Sequence, residues 1–202
     1  MRGVMSDSRQ EIVERLLAGY RRFYNITRFD GGPNPHPEEW KGLREGDKVP
    51  PLSFPGNGNL VAVCEYYERG QQYFLFRTNE LWSSQQEEFI FLFSVGTLTK
   101  EVFEACRDFA REEGMKLAHI GPGHMYTYIT PVFVCDTAEE AAIALLEKCR
   151  IYKSFLFSFH GWMDFHIACF ETGKNKLYFN RSGRCMEKNM KKVLLTVREE
   201  LS

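Results

Sequence analysis

Residues 87–95 read EEFIFLFSV, and this run decides the fold class. In an extended strand, alternate side chains point to opposite faces of the sheet. Both alternating sets are apolar in this run, because Phe89 and Phe91 alternate with Ile90 and Leu92. A strand of this kind is covered on both of its faces. We therefore predict a strand near the middle of a sheet that has helices packed against it.

Two more strand-like runs precede this one, at residues 60–68 and 71–78. Arg69 and Gly70 separate them, which is the spacing of a tight turn between antiparallel strands. The second run is again apolar on both alternating sets. The three runs together predict a meander of neighbouring strands.

The chain before this meander has two parts of different composition. Residues 7–25 carry apolar side chains at helical spacing, which predicts an amphipathic helix with one face docked on the sheet. Residues 30–59 are rich in proline, glycine and asparagine, and such a segment neither continues a helix nor joins a central strand. We expect an irregular insert there.

The elements after the meander follow in the order helix, strand, helix, three strands and helix. The first helix opens at Thr99, and the next opens at a capping box of Thr137 and Glu140. The strand at residues 126–135 contains Pro131, which lacks a ladder donor and is therefore expected at an edge or a bulge. The remaining predicted strands and helix cover residues 152–159, 162–170, 176–180 and 187–201.

This order of elements is typical of an α+β protein. We predict a single domain over residues 1–202, with a mostly antiparallel or mixed sheet of about six strands packed by about four helices. The length agrees with one domain, since a typical domain has about 100 to 200 residues.

Composition excludes several classes of protein. Hydrophobic residues make up 44% and charged residues 26% of the chain, and the net charge is −1, which excludes a disordered or strongly basic protein. No apolar run approaches the roughly 18 to 20 residues of a membrane span, so no membrane partner is expected. No export signal is visible at the N-terminus, and we therefore expect a cytoplasmic protein.

The six cysteines are widely spaced, and none forms the close pair of a zinc knuckle. In a reducing compartment thiols stay free, and free cysteine is among the most buried residue types. We interpret the cysteines as small buried apolar residues. A redox-active or nucleophilic thiol is the alternative.

The densest polar group of residues is His160, Asp164 and His166. Asp164 and His166 are two positions apart on a predicted strand and therefore share a face, and a turn at residues 160–161 can fold His160 back toward them. Two imidazoles and a carboxylate can bind a divalent metal or transfer protons. With Glu65 on an earlier strand, they are the candidate ligand or metal residues. The competing interpretation is a solvated strand face.

Other candidates have weaker patterns. Four glutamates on two predicted strands resemble the acidic clusters of metal-dependent nucleases but lack the accompanying Glu-x-Lys; they are Glu65, Glu68, Glu87 and Glu88. Two histidines, His119 and His124, flank a GPG turn without a fixed helical or strand spacing. No GxSxG or phosphate-binding loop occurs, so the sequence indicates no cofactor and leaves open whether the protein is an enzyme.

Aromatic residues make up 14% of the chain, which is more than a core of this size needs. We expect an exposed apolar patch, and a symmetric homodimer is the simplest way to bury it. Basic residues are in excess in the C-terminal stretch, but the chain as a whole is near neutral, so we expect no nucleic-acid partner.

Several stretches resemble the shared segments of an uncharacterised bacterial family, a domain of unknown function. They are KSFLFSFHGWMDFH at 153–166, HMYTYITPVFVCD at 124–136 and YFNRSGR at 178–184. The resemblance extends over nearly the whole chain outside residues 30–59. It implies a bacterial, intracellular, single-domain protein, and it brings no activity, cofactor or catalytic residue.

Two functions follow as expectations. The first is a binding or interaction module that self-associates. The second is a small enzyme, or a small-molecule or metal sensor, with a pocket near His160, Asp164 and His166. Convergence of these residues and Glu65 in a concave site would favour the second function.

Overall fold

The computed structural model describes residues 7–29, 60–73 and 80–195. The predicted insert at residues 30–59 lies outside this part, as does the predicted helix beyond residue 195. In chain order the elements are α1 (Asp7–Tyr20), β1 (Asn25–Arg28), β2 (Leu60–Tyr73), β3 (Glu80–Leu98), α2 (Lys100–Leu117), β4 (His124–Ala138), α3 (Glu140–Lys148), β5 (Tyr152–Ser154), β6 (Trp162–Phe165), β7 (Ala168–Glu171), β8 (Lys176–Phe179), a 3-10 turn (Ser182–Met186) and α4 (Glu187–Leu195).

The described strands form one mixed sheet in the order β1-β2-β3-β4-β6-β5. Strands β3, β4 and β6 run parallel, while β1, β2 and β3 are antiparallel neighbours. Strand β7 lies end to end with β6 along the same edge of β4, and β8 pairs with β7. The predicted α+β domain with a mixed sheet is confirmed, and the eight described strands exceed the expected number.

Helices cover the two faces of the sheet unequally. On the face covered by α2 and α3, the phenylalanines of β3 and β4 form the larger apolar core, with Phe91, Phe93 and Phe133 fully buried. On the face covered by α1 and α4, Leu92 and Val132 contribute to a smaller core. That core involves only the half of this face toward the C-terminal ends of β3 and β4. The other half of the α1/α4 face carries polar and aromatic side chains.

The central position predicted for residues 87–95 is confirmed, because β3 lies between β2 and β4. The turn predicted at Arg69 and Gly70 is wrong, since β2 continues through both residues and pairs them with Gln85 and Ser84. A glycine can occupy a strand interior, so Gly70 alone was weak evidence for a turn.

Pro131 was predicted at an edge or bulge, yet β4 is an interior strand. The β6 ladder ends at the pair Ile129–Phe165, and the β7 ladder begins at Val132–Ala168. The carbonyl of Ile129 accepts a hydrogen bond from His166 N, so the missing donor of Pro131 would point to that same edge. The proline therefore lies at the gap between two short strands, where no ladder donor is required.

Local signals at the helix ends had mixed outcomes. Thr99 caps α2 as predicted, its hydroxyl accepting a hydrogen bond from Val102 N at 3.3 Å. The predicted capping box of Thr137 and Glu140 is wrong, because α3 begins after Glu139. The Thr137 hydroxyl is instead hydrogen-bonded to the Thr97 hydroxyl at 3.0 Å. The first helix is also shorter than predicted, because the chain turns after Tyr20 and enters β1.

No helix in the described part of the chain is both long enough and apolar enough to cross a bilayer.

Candidate functional site

Two of the four predicted site residues lie side by side at the end of β6. Asp164 and His166 point to the α1/α4 face, with 3.8 Å between His166 Nε2 and Asp164 Oδ2. The imidazole is almost completely buried and stacks on the ring of Tyr128 at a centroid distance of 4.3 Å. Strand periodicity alone predicted this shared face, whereas the stacking depends on the parallel pairing of β4 with β6.

The other two predicted residues lie elsewhere. Glu65 is in register with Phe89, whose side chain belongs to the α2/α3 core, so Glu65 lies on the opposite face of the sheet. His160 lies in the loop before β6, where its carbonyl oxygen is 2.7 Å from His124 Nδ1. The described hydrogen bonds of His160 do not include Asp164 or His166. The predicted four-residue site is therefore only half assembled.

A row of alternating tyrosines and carboxylates crosses the sheet at the level of Asp164. Strand register pairs Tyr66 with Glu88, Glu88 with Tyr128, Tyr128 with Asp164, and Asp164 with Tyr152. Partners in register point to the same face, and five strands at about 4.8 Å spacing span about 19 Å. We call these five residues the tyrosine–acid row. Glu88 was named in the sequence only as part of a nuclease-like cluster, and the tyrosines were not singled out.

Glu88 is held in the row by two hydroxyl groups. Its carboxylate accepts hydrogen bonds from the Tyr24 hydroxyl at 2.6 Å and from the Thr130 hydroxyl at 3.0 Å. A carboxylate has about four lone-pair positions, so these two bonds leave acceptor capacity for a ligand. The side chain is half-buried, which strengthens its interaction with a charge in the same site.

A cavity of about 550 Å³ adjoins the row at Glu88 and Tyr66. It lies between α1, α4 and the sheet, and its walls include the aromatic rings of Tyr20, Phe23 and Tyr24. Tyr24 contacts Tyr20 and Tyr66 at ring distances of 5.4 and 5.7 Å. Lys192 is exposed at the rim. A cavity of this volume is in the range that holds a small organic molecule.

Aromatic side chains extend the site below the row. Tyr126 is the next residue of β4 on this face, and its ring lies 4.7 Å from Tyr128 and 5.7 Å from Trp162. The Tyr126 hydroxyl donates to Gln86. Flat π-surfaces and carboxylates are therefore interleaved on one side of the sheet.

The 3-10 turn before α4 brings a thiol to the same place. Cys185 is exposed, and its Sγ lies 3.9 Å from His166 Nδ1. The Ser182 hydroxyl, in the same turn, donates to Asp164 Oδ1 at 3.1 Å, and the Phe165 main-chain N–H donates to that oxygen at 2.9 Å. These bonds fix the Asp164 carboxylate beside the imidazole.

Burial and nearby charges tune the protonation of this group. Burial lowers the pKa of His166 below its usual value of 6.5, although the Asp164 and Glu88 carboxylates act in the opposite direction. Partial burial, followed by the charge of Glu88, raises the pKa of the Cys185 thiol. At neutral pH the imidazole is therefore mostly neutral and the thiol protonated.

Asn180 ties the segments that carry these residues. Its side chain is fully buried, and its oxygen accepts hydrogen bonds from Ile167 N at 2.9 Å and Gly183 N at 2.8 Å. Its NH₂ group donates to the carbonyls of Phe165 at 2.8 Å and Cys149 at 3.1 Å. The bonds to Phe165 and Ile167 flank His166, and the bond to Gly183 holds the turn that carries Cys185.

The histidines near the GPG turn belong to a separate network on the other face. His119 Nδ1 lies 2.7 Å from Glu87 Oε1, and His124 Nε2 lies 2.7 Å from the Thr127 hydroxyl. The Thr127 hydroxyl is itself 3.3 Å from Glu87 Oε2. Glu87 and Glu88 therefore serve opposite faces. Across residues 7–29, 60–73 and 80–195, no three His, Cys, Asp or Glu side chains are grouped as a metal site.

The cysteines differ in environment. Cys64, Cys106, Cys135 and Cys169 are buried, as expected for small apolar residues, and Cys149 is partly buried. Cys185 is the exposed one. A signal for this was available, because Cys185 stands in a polar segment, RSGRCMEKN, whereas Cys135 and Cys169 stand in apolar runs.

Comparison with known proteins identifies a family. A family model described as "Domain of unknown function (DUF8052)" matches residues 56–192, which is more than half of the chain. The chain belongs to the DUF8052 family. The match includes all strands from β2 to β8 and all members of the tyrosine–acid row. Searches of curated proteins and of solved structures gave no significant match. The DUF8052 assignment confirms the resemblance to a family of unknown function and assigns no activity.

Proposed function

We propose that the protein binds a small organic cation, an amine or guanidinium that carries an apolar or aromatic group, on the tyrosine–acid row. The observation that carries the proposal is the alternation of aromatic rings and carboxylates across neighbouring strands. The adjoining cavity supports it, because Glu88 belongs to both the row and the cavity wall. This develops the second function expected from the sequence.

Electrostatics favours a cation over an anion at this place. Glu88 and Asp164 flank Tyr128 on the neighbouring strands, so their backbones are about 10 Å apart. A cation on the surface between them is attracted by both carboxylates. Aromatic ring faces attract cations as well, by about 0.5 to 2 kcal/mol for each close contact. A phosphate or carboxylate ligand would meet repulsion from both acids.

A matched pair of probes tests the charge requirement. Phenethylamine is cationic at neutral pH, and 2-phenylethanol has nearly the same shape without the charge. We expect isothermal titration calorimetry to give at least about tenfold tighter binding of the amine, a difference of about 1.4 kcal/mol. Glu88→Gln should remove most of this difference, because it removes the charge but keeps the shape of the side chain, whose oxygen can accept from one of the hydroxyls of Tyr24 and Thr130 while its NH₂ group donates to the other.

Glu147→Gln is the control, because Glu147 is an exposed acid on α3, on the other side of the sheet. It changes the net charge equally and should leave the affinity for the amine within about twofold. Equal binding of the amine and the alcohol would contradict the proposal. So would an equal loss of affinity in the two glutamine variants.

A second candidate function, self-association, is favoured by a loop at the sheet edge. Leu156, Phe157 and Phe159 are 62%, 92% and 81% exposed, although they are large and apolar. Leu156, Phe157 and Ser158 all have left-handed backbone conformations, with φ of 47°, 51° and 69°. Such conformations cost about 1 to 2 kcal/mol for each residue with a Cβ. Stored strain beside exposed apolar side chains suggests a functional surface.

We propose that a second copy of the chain covers this loop. Strand β5 precedes the loop and pairs, within the described sheet, with β6 alone, so its outer edge can pair with the same strand of a partner across a two-fold axis. The three residues of β5 are exposed. Pairing of this kind would bring the apolar residues of both loops together and satisfy the exposed strand edge.

Sedimentation velocity tests this homodimer. The double variant Phe157→Ser with Phe159→Ser should weaken dimerisation at least about tenfold and change the free energy of unfolding of the monomer by only about 0.5 kcal/mol, because both side chains are exposed. Phe23→Ser is the control, since Phe23 is 64% exposed on a different part of the surface. A monomeric native protein, or an equal effect of the control, would reject the interface.

We also propose that the protein acts in the bacterial cytoplasm. The six free cysteines support a reducing compartment, where thiols are kept from pairing.

A further inference from the structure

We propose that Cys185, His166 and Asp164 form an acyl-transfer site, in which the Cys185 sulfur attacks an activated ester or thioester. The three side chains are arranged in series: Cys185 Sγ faces His166 Nδ1 at 3.9 Å, and His166 Nε2 faces Asp164 Oδ2 at 3.8 Å. A nucleophile beside a base that a third group orients is the pattern of covalent acyl-transfer catalysis, and its distances are often long before a substrate binds.

The imidazole has the orientation and protonation state of a general base. Asp164 faces Nε2, which favours the tautomer with its proton on that nitrogen and leaves Nδ1 free to accept the thiol proton. Burial keeps the pKa of His166 low, so the neutral form is present at neutral pH. The Tyr128 ring stacks on one side of the imidazole and restricts its rotation.

The thiol requires such a base. Partial burial and the nearby Glu88 carboxylate raise the pKa of Cys185, so the resting sulfur is protonated. The main-chain N–H groups of Cys185 and Met186 lie close enough to the sulfur to act against this shift. They lie at the end of the 3-10 turn, where it passes into α4, and as donors they can stabilise negative charge that develops at the sulfur.

The reaction balances without any oxidant or metal. His166 Nδ1 takes the thiol proton while sulfur forms a bond to the carbonyl carbon. The tetrahedral intermediate collapses, its bond to the leaving alcohol or thiol breaks, and the leaving group takes the proton from His166. Water, activated by the same imidazole, then attacks the thioester on Cys185. The imidazole passes the proton of this water to the Cys185 sulfur as the bond between sulfur and the acyl carbon breaks. Overall, the ester or thioester is hydrolysed to a carboxylic acid and the leaving alcohol or thiol, and the Cys185 thiol is regenerated.

This inference does not rest on cation binding, because the three residues act on the carbonyl group itself. The test therefore uses an uncharged probe, p-nitrophenyl acetate. Failure of acylation with intact amine binding would reject this site alone, and the reverse result would reject only the cation proposal.

We expect the native protein to release one equivalent of p-nitrophenol in a burst and to carry one acetyl group on the peptide containing Cys185, as measured by mass spectrometry. Cys185→Ala should abolish both signals. Cys149→Ser is the matched control, since Cys149 is partly buried and has no place in the site, and its burst should equal that of the native protein. Acetylation at another residue would overturn the proposal.

His166 and Asp164 have separate readouts. His166→Gln should slow acetylation of Cys185 at least about a hundredfold, the usual contribution of a general base. In the native protein the acylation rate should fall as the pH decreases through a pKa below 6.5, because the protonated imidazole cannot accept a proton.

Asp164→Asn tests a positioning role. The charge of Asp164 raises the pKa of His166, so this variant should move the inflection of the pH profile to lower pH, which a merely structural effect would not do. An acylation rate or a pH profile that is unchanged in His166→Gln would overturn the role of the imidazole. A pH profile that is unchanged in Asp164→Asn would overturn the positioning role of Asp164.

Discussion

Replacing Asn180 with alanine is expected to lower the free energy of unfolding by about 4 kcal/mol, because four buried hydrogen-bonding groups lose their partner and each costs about 1 to 3 kcal/mol. The side chain is fully buried and bonds to two N–H groups and two carbonyls. Chemical denaturation monitored by circular dichroism measures the change. A melting temperature lowered by about 10 °C should accompany it.

Asn180→Asp separates the two halves of this network. Aspartate keeps the acceptor for the N–H groups of Ile167 and Gly183 but places an oxygen against the carbonyls of Phe165 and Cys149. We therefore expect a decrease in the free energy of unfolding comparable to that of Asn180→Ala. Asn175→Gly is the control, because Asn175 is exposed in a left-handed turn that glycine also adopts. A loss below about 1 kcal/mol in Asn180→Ala would mean that the network is not what holds these segments together.

The second large effect is expected at Gly161, which begins the approach to β6. Its φ of 70° is left-handed, and a Cβ at this position would lie 2.1 Å from the carbonyl oxygen of Met125. Both the strained backbone and the overlap with main-chain atoms oppose any larger residue. Gly161→Ala should therefore lower the free energy of unfolding by about 3 kcal/mol, measured by the same denaturation experiment.

Gly96→Ala is the matched substitution elsewhere in the sheet. A Cβ there would meet no atom within 4 Å, and its backbone is not left-handed. We expect a change of at most about 1 kcal/mol, in either direction. If Gly161→Ala proved as mild as Gly96→Ala, the close approach of the loop to the start of β4 would be disproved.

The parts of the fold that sequence predicted depend on local patterns. Residues 89–93 are apolar on both alternating sets, and this part of β3 is buried on both faces for that reason. Thr99 caps α2 because a hydroxyl at that position can reach a free N–H at the helix start. Strand β1 was missed, because residues 25–28 are a run of only four residues in which Ile26 alone is apolar, and so short a run shows no strand alternation.

The candidate site could be predicted only in part. Asp164 and His166 share a face because of strand periodicity, which is a local property. Their proximity to Glu88, Tyr128 and Cys185 arises from the register of β3, β4 and β6 and from the turn before α4. Register between parallel strands is set by packing over long sequence separations, and a single sequence does not encode it in any short pattern.

The division of one sheet edge between β6 and β7 has a consequence for local opening. Strand β6 is held to β4 over only four residue pairs, while β3 and β4 share a ladder along most of their length. A segment that has few hydrogen bonds to the rest of the sheet opens locally at a lower free energy than the centre of a fold. The corner formed by β5, its loop and β6 can therefore open as one cooperative unit. The hydrogen bonds of Asn180 to Phe165 and Ile167 oppose this opening. Amide exchange in this corner would report on the integrity of the proposed acyl-transfer site before global unfolding begins.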